Sequence, residues 1–404
     1  MKVGWKIKPL AEVCDILNGS TPLRSNKAYW ENGNINWFTI EDIREQGRKI
    51  TRTNQKITHH ALEKTSVRIL PSKSVLLCCT ASIGEYAITE APMATNQQFN
   101  GLVVKNQQTL EPLFLFHFCA TLKDKLAELS GKTTIDFIPI SRLRDILIPV
   151  PPIPEQQRIV TILDQAFEGI ATATANAKKN LANARELFES ELQYELSLGG
   201  EDWTETTLGN EVDLLSGFPF KSAEYTTSEK DVRLLRGDNI IQGSLRWDDV
   251  KSWPASGVGN YERYNLNEGD VVLAMDRPWV NAGLKRAKIT QEDLPCLLVQ
   301  RTARLRGTGS LDNSFLLHLI NSQAFIKHIL GVQTGIGVPH ISGQQIKDFK
   351  FLKPSISIQQ NIIAKLDGLL AETKKLEAIY QQKLTALEEL KKSILNQAFS
   401  GQLN

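Results

Sequence analysis

From Ile159 onward apolar side chains return at steps of three and four: Ile159, Leu163, Ala166, Ile170, Ala173, Ala177, Leu181, Ala184, Phe188, Leu192. A second such stretch closes the chain. One series spaced by seven is Leu366, Thr373, Tyr380, Leu387, Ile394, and another is Leu369, Leu376, Lys383, Leu390. Steps of this kind predict two long amphipathic helices with a coiled-coil-like seam, from about Glu155 to Leu198 and from about Gln359 to Ala398. Forty helical residues make a rod of roughly 60 Å. Prolines precede each helix, and Gly199–Gly200 and Gly401 follow, as helix stops do. Neither helix can bury its stripe alone, so each is expected to cover the other.

The remaining segments change period. Short β-branched runs such as Ser74–Leu77 and Asp270–Leu273 lie between Gly, Pro, Asn and Asp turns, which predicts strands. One helix is expected in each segment, Pro112 to Leu129 and Ser314 to Leu330. The two segments are copies. WKIKPLAEVCDILNG from Trp5 matches WTETTLGNEVDLLSG from Trp203, INWFTIEDI from Ile35 matches VRLLRGDNI from Val232, and LPSKSVLL from Leu70 matches LNEGDVVL from Leu266. The repeat extends into the helices: PVPPIPEQQRIVTILD (Pro149 to Asp164) aligns with KPSISIQQNIIAKLD (Lys353 to Asp367), pairing Gln156 with Gln359 and Asp164 with Asp367. The organisation read from this is a mixed α/β globule over 1–150, a helix over 151–202, a second globule over 203–353 and a second helix over 354–404.

This order constrains the architecture. The first helix leaves one globule and ends at the other, and the second must return to pair with it. The helices are therefore expected to be antiparallel, related by an approximate two-fold axis, with the proline run as a stiff hinge. Two readers related in this way suit a target in two halves, such as half-sites about 34–36 Å apart on one face of a duplex. Divergent loops would read different halves, making the full site asymmetric.

Charge adds one detail. The net value is only +2, but residues 1–150 hold 19 Lys+Arg against 14 Asp+Glu, whereas residues 151–202 hold 4 against 9. A basic globule permits nucleic-acid binding. Cys14, Cys78, Cys79, Cys119 and Cys296 form no C-x-x-C pair, which points to free thiols in a reducing cytoplasm and away from zinc. No apolar run approaches the roughly 20 residues of a membrane span.

The two Gln-pair blocks, the terminus LKKSILNQAFSGQL (Leu390 to Leu403), and the pieces WTETTLGNEVDLLSGFPFKS and AMDRPWV (Ala274 to Val280) resemble the specificity subunit of Type I restriction–modification enzymes. The resemblance covers the whole chain, although Ser355 to Ile358 depart from the proline form before the second Gln pair. It implies two target recognition domains, each reading half of a bipartite double-stranded DNA site. It implies that the helices act as spacer and docking surface for two methyltransferase subunits, with restriction subunits joining them. S-adenosylmethionine, ATP and Mg2+ would then belong to those partners, and this chain would be non-catalytic. The residues agree. No Asn/Asp-Pro-Pro-Tyr/Phe loop is present, and SGKTT (Ser130 to Thr134) lacks the first Gly of a phosphate loop because Leu126 stands there. A scaffold that spaces partners without reading DNA is the competing interpretation.

Base edges favour Arg, Asn and Gln, and phosphates favour Lys, Ser and Thr. The loops supply Arg24, Asn26, Arg48, Arg52, Lys56, Asn96, Gln97 and Lys132 in the first copy. In the second they supply Lys221, Arg236, Asn239, Arg277, Asn281, Lys285, Arg286 and Arg301, with the Arg277 loop foremost. The spacer and docking positions are Ile159, Leu163, Leu181, Phe188, Leu366, Leu369, Leu376, Leu387, Leu390 and Ile394.

Overall fold

A computed structural model describes residues 4–130, 137–280, 283–335 and 338–403. The chain divides into two compact units. One runs as far as Lys178 and resumes at Gln381; the other spans Lys179–Tyr380. Each unit is mixed α/β and takes a portion of both long helices, Ile153–Ser197 and Ile356–Ser400.

In the first unit a five-stranded sheet has the order Cys14–Asn18, Phe99–Val104, Val75–Cys78, Tyr86–Thr89, Lys49–Ile50. A three-stranded sheet orders Gln55–Ile57, Ile35–Phe38, Ala94–Thr95. The second unit repeats this pattern with one strand fewer in the larger sheet: Val212–Ser216, Thr302–Gly307, Val271–Ala274, Arg286–Lys288, and a three-stranded sheet of Ser252–Trp253, Val232–Leu235, Cys296–Leu298. The run Val75–Cys78 is buried at every position, and so is Val271–Ala274, which explains their unbroken apolar sequences. Both copies keep a glycine where the first strand of the larger sheet ends. A Cβ at Gly19 would lie 1.9 Å from the Asn96 carbonyl oxygen, and one at Gly217 would lie 2.0 Å from that of Val299.

The proline run is not a free hinge. Leu147–Val150 pairs antiparallel with Lys6–Pro9, and Lys350–Lys353 pairs with Thr204–Thr207. A two-stranded ribbon consists of edges, so Pro149 can sit opposite Ile7 without breaking a ladder. Pro154 falls in the first turn of its helix, where a missing N–H costs nothing. The expected helix Pro112 to Leu129 is two, Pro112–Cys119 and Lys123–Leu129. Its counterpart is also two, Asn313–Ile320 and Gln323–Val332, bent by 62°. There Ser322 starts the second piece by accepting from the Phe325 N–H, a capping role that apolar periodicity does not reveal.

The long helices start and end where the sequence indicates. Gly199 (φ +58°) and Gly401 (φ +80°) stop them in the left-handed conformation. The pairing is antiparallel within each unit. In the first, Arg158 donates to the Leu403 carbonyl, and Lys391 lies 5.0 Å above the Phe167 ring. In the second, Arg185 bonds Glu377 at 3.0 Å and Lys365 bonds Glu195. Ile159, Leu163, Phe188 and Leu366 are buried, and Leu181, Leu369, Leu387 and Ile394 are partly covered. Leu376 and Leu390 are exposed and do not join the seam. The companion of the Thr373–Tyr380–Leu387–Ile394 series lies one residue later, at Leu370, Glu377, Leu384 and Lys391. Glu377 and Lys391 engage Arg185 and Phe167, so polar side chains hold seam positions that hydrophobicity alone assigns to their leucine neighbours.

Each globule grips its long helix through the repeated Gln. The buried Gln156 accepts from the Glu111 N–H and donates to the Thr109 and Pro151 carbonyls. Gln359 does the same with Asp312, Ser310 and Pro354. The five cysteines are buried and unpaired. No single described helix is long and apolar enough to cross a membrane.

Candidate nucleic-acid interface

An interior strand of each larger sheet, Val75–Cys78 or Val271–Ala274, runs into the same turn. Counting 196 residues on, Ala81 (φ +52°) corresponds to Arg277 (φ +44°), and both adopt the left-handed conformation that non-glycine residues rarely take. Both turns are held by the same connection: Ile138 donates to the Cys79 carbonyl and Ile341 to that of Met275, each at 2.9 Å. Met275 N–H bonds the Arg301 carbonyl at 2.8 Å just as Cys79 N–H bonds that of Gln98 at 2.9 Å, and in the second unit Arg277 N–H also bonds the Pro339 carbonyl at 2.7 Å. The unusual φ is therefore a property of the duplicated scaffold, and the side chain placed on it is what differs.

This turn brings together Arg277, Lys285 and Arg301 of the expected residues. Arg301 lies 3.4 Å from Asp276. Burial pushes the Lys285 ammonium down from its usual value; Asp238 opposes this, and Arg246 and Arg277 add to it. The Arg277 guanidinium is exposed and has no partner among the described residues. Trp279 and Val280, in a short hairpin with Gly283–Leu284, are exposed beside it. The turn thus carries a free cation and an exposed indole on a backbone pinned from two sides.

Other expected readers are occupied by the fold. Asn239 is buried, accepting from Arg236 N–H and donating to the Arg246 carbonyl, so it staples its own loop. Arg236 is spent on Asp249, through its carbonyl at 2.8 Å and its carboxylate at 3.1 Å. Burial pulls Arg286 down to about 10, and its guanidinium faces Asn321. In the first unit Asn96 is buried and folds the turn to Gln98. Arg48 bonds Glu85 and the Tyr86 carbonyl and lies over the Tyr86 ring. Asn26 caps a short helical turn through Ala28 N–H. Composition selects polar loop residues, and these loops need several of them to satisfy their own backbone.

Arg52, Lys56 and Lys221 are exposed, with side chains unpartnered among the described residues. Gln97 is exposed and accepts from the Thr21 hydroxyl. Arg24 lies 4.0 Å from the Trp30 ring centroid and 4.6 Å from that of Trp37, and bonds Gln55 at 2.6 Å. Lys132 and Asn281 lie outside the described residues. Arg68 and Arg144, which composition does not mark, share a cleft with Gln97. Nothing in the local sequence singles them out, and only the fold brings them to one cleft with no acidic side chain in its lining.

The comparisons agree with this duplicated plan. A family profile described as the Type I restriction modification DNA specificity domain matches residues 2–183 and again 200–386. The specificity subunit of the Escherichia coli Type I restriction enzyme EcoAI is 39% identical over 180 residues, 44% of this chain and 30% of that one. The MjaIX specificity subunit of Methanocaldococcus jannaschii is 23% identical over 418 residues, covering 99% of this chain and 93% of that one. Among solved structures, a chain from a study of assembly and conformational transition of the type I R-M system superposes with a TM-score of 0.80 at 20% identity, covering 100% and 99% of the two chains. The HsdS subunit of Thermoanaerobacter tengcongensis gives 0.61 at 20% identity, covering 100% and 98%.

Proposed function

The chain belongs to the Type I restriction–modification DNA specificity family, and from that membership we propose that each globule reads one half of a bipartite, asymmetric DNA site. The observation that carries this is the shared turn: one backbone, repeated, presents Ala81–Ser82–Ile83 in one copy and Arg277–Pro278–Trp279 in the other. A duplicated frame with unlike contact residues serves two unlike half-sites. The long helices then set the spacing and dock two methyltransferase subunits, for which exposed Leu187, Tyr194, Leu376, Ile379 and Leu390 offer apolar surface. Restriction subunits would join that assembly. Adenine methylation with S-adenosylmethionine, and cleavage with ATP and Mg2+, are assigned to those partners in the cytoplasm. This chain's own part is to bind and position DNA.

Mapping methylated adenines genome-wide in cells expressing this chain with its methyltransferase subunits tests the reading. A two-part motif with unlike halves is the expected result. A complex that assembles but shows no sequence preference would favour a scaffold.

A further inference from the structure

We propose that a cleft in the first unit holds DNA backbone phosphates through Arg68 and Arg144; this rests on the DNA reading above and specifies one of its contacts. The cleft has a volume of about 610 Å3, and its polar lining is led by Ser20, Thr21, Ser66, Arg68, Gln97 and Arg144. No aspartate or glutamate lines it. Both guanidinium groups are exposed, and neither has a partner among the described residues. The Ser20 and Ser66 hydroxyls bond each other at 2.9 Å, and Thr21 donates to Gln97. Two cations with no acidic partner, beside a serine pair that leaves one hydroxyl hydrogen free, suit the acceptor-only oxygens of phosphate.

The second unit shows that the fold does not require this opening. Ser20 follows Gly19 and donates its N–H to the Thr95 carbonyl; Phe218 follows Gly217 and donates to that of Leu298. Arg68 stands two residues before Leu70, and Tyr264 two before Leu266, where both leucines begin matching hydrogen-bonded segments. The second copy thus has Phe218 and Tyr264 where the first has Ser20 and Arg68. Their ring centroids lie 5.3 Å apart, and Tyr261 and Phe220 pack on Phe218 at 4.9 and 5.0 Å. The scaffold can seal this wall with aromatic packing, which stabilises a fold. The first copy forgoes that packing and keeps a polar, cationic hollow.

Phosphate contacts and base contacts differ in salt dependence. Each phosphate neutralised on B-DNA steepens the plot of log affinity against log salt by about 0.9. The full-length chain in complex with its methyltransferase subunits is titrated with a duplex carrying the mapped site, at several salt concentrations. Arg68→Gln and Arg144→Gln are each expected to reduce the slope by about 1 and to weaken binding roughly tenfold near 0.1 M salt. The methylated sequence stays the same, thermal melting is unchanged, and Arg68→Lys and Arg144→Lys restore the slope. An unaltered slope, or a relaxed base preference in its place, overturns the phosphate assignment while leaving the DNA reading standing. Loss of sequence preference in the wild-type complex itself overturns both.

Discussion

The buried imidazole of His117 meets Asp164 of the first long helix, Nε2 to carboxylate, at 2.9 Å. His318 and Asp367 repeat the contact at 2.8 Å. Burial is the main force on both rings and pulls their pKa values down, with the aspartates pulling the other way. Lys49 and Lys391 also oppose a charge on His117, and Arg286 and Lys288 oppose one on His318.

That arrangement gives stability an acid limit. An unfolded His takes up its proton near 6.5, and the folded ones take it up at lower pH. The folded state therefore binds fewer protons, and stability falls as pH drops from about 6.5 toward the folded values. Asp164→Asn removes the group that favours the charged ring, so the loss should extend to lower pH and grow larger. At pH 7.5 the same variant should cost about 1 kcal/mol through the weaker hydrogen bond. Denaturant titrations from pH 5 to 8 read both effects.

Gln156 is expected to matter far more than Gln157. Gln156→Ala strips three partners from a buried site and should destabilise by about 3 kcal/mol. Gln156→Glu should also destabilise, because a carboxylate cannot donate to the Thr109 and Pro151 carbonyls. Gln157 is exposed, and its Ala variant should be close to neutral. Urea midpoints compare all three.

Leu366 and Leu376 separate folding from docking. Leu366 is fully buried, and Leu366→Ala should cost about 2–5 kcal/mol. Leu376→Ala and Leu390→Ala should leave the melting temperature within error and weaken association with methyltransferase subunits. Calorimetry and co-purification of the same variants report the two outcomes.

Arg277→Gly removes the guanidinium and relieves the left-handed backbone in one step. It should preserve or slightly raise stability and lower affinity for the mapped site about tenfold or more, the scale of one lost bidentate base contact. The base pair it reads should become degenerate in the methylation motif.

Much of the architecture is legible because repetition and periodicity act over long stretches. Two 45-residue helices and two matched strand sets are each supported by many positions, so no single residue has to be decisive. The seam register at Glu377 and Lys391 is lost because their partners are distant in sequence and apolarity favours Leu376 and Leu390. The role of His117 is hidden for the same reason: Asp164 is marked as a repeat position, and nothing local couples it to a residue 47 positions earlier. Reading residues are the least legible. Asn239 and Arg277 are both polar loop residues in sequence, and only burial separates a loop staple from a free side chain.

The ribbons Lys6–Pro9 with Leu147–Val150, and Thr204–Thr207 with Lys350–Lys353, bring the start and finish of each globule side by side. Whatever lies between those strands can lengthen, shrink or be exchanged wholesale without rerouting the chain on either side. Selection can therefore rewrite one globule while inheriting the rest of the molecule unaltered.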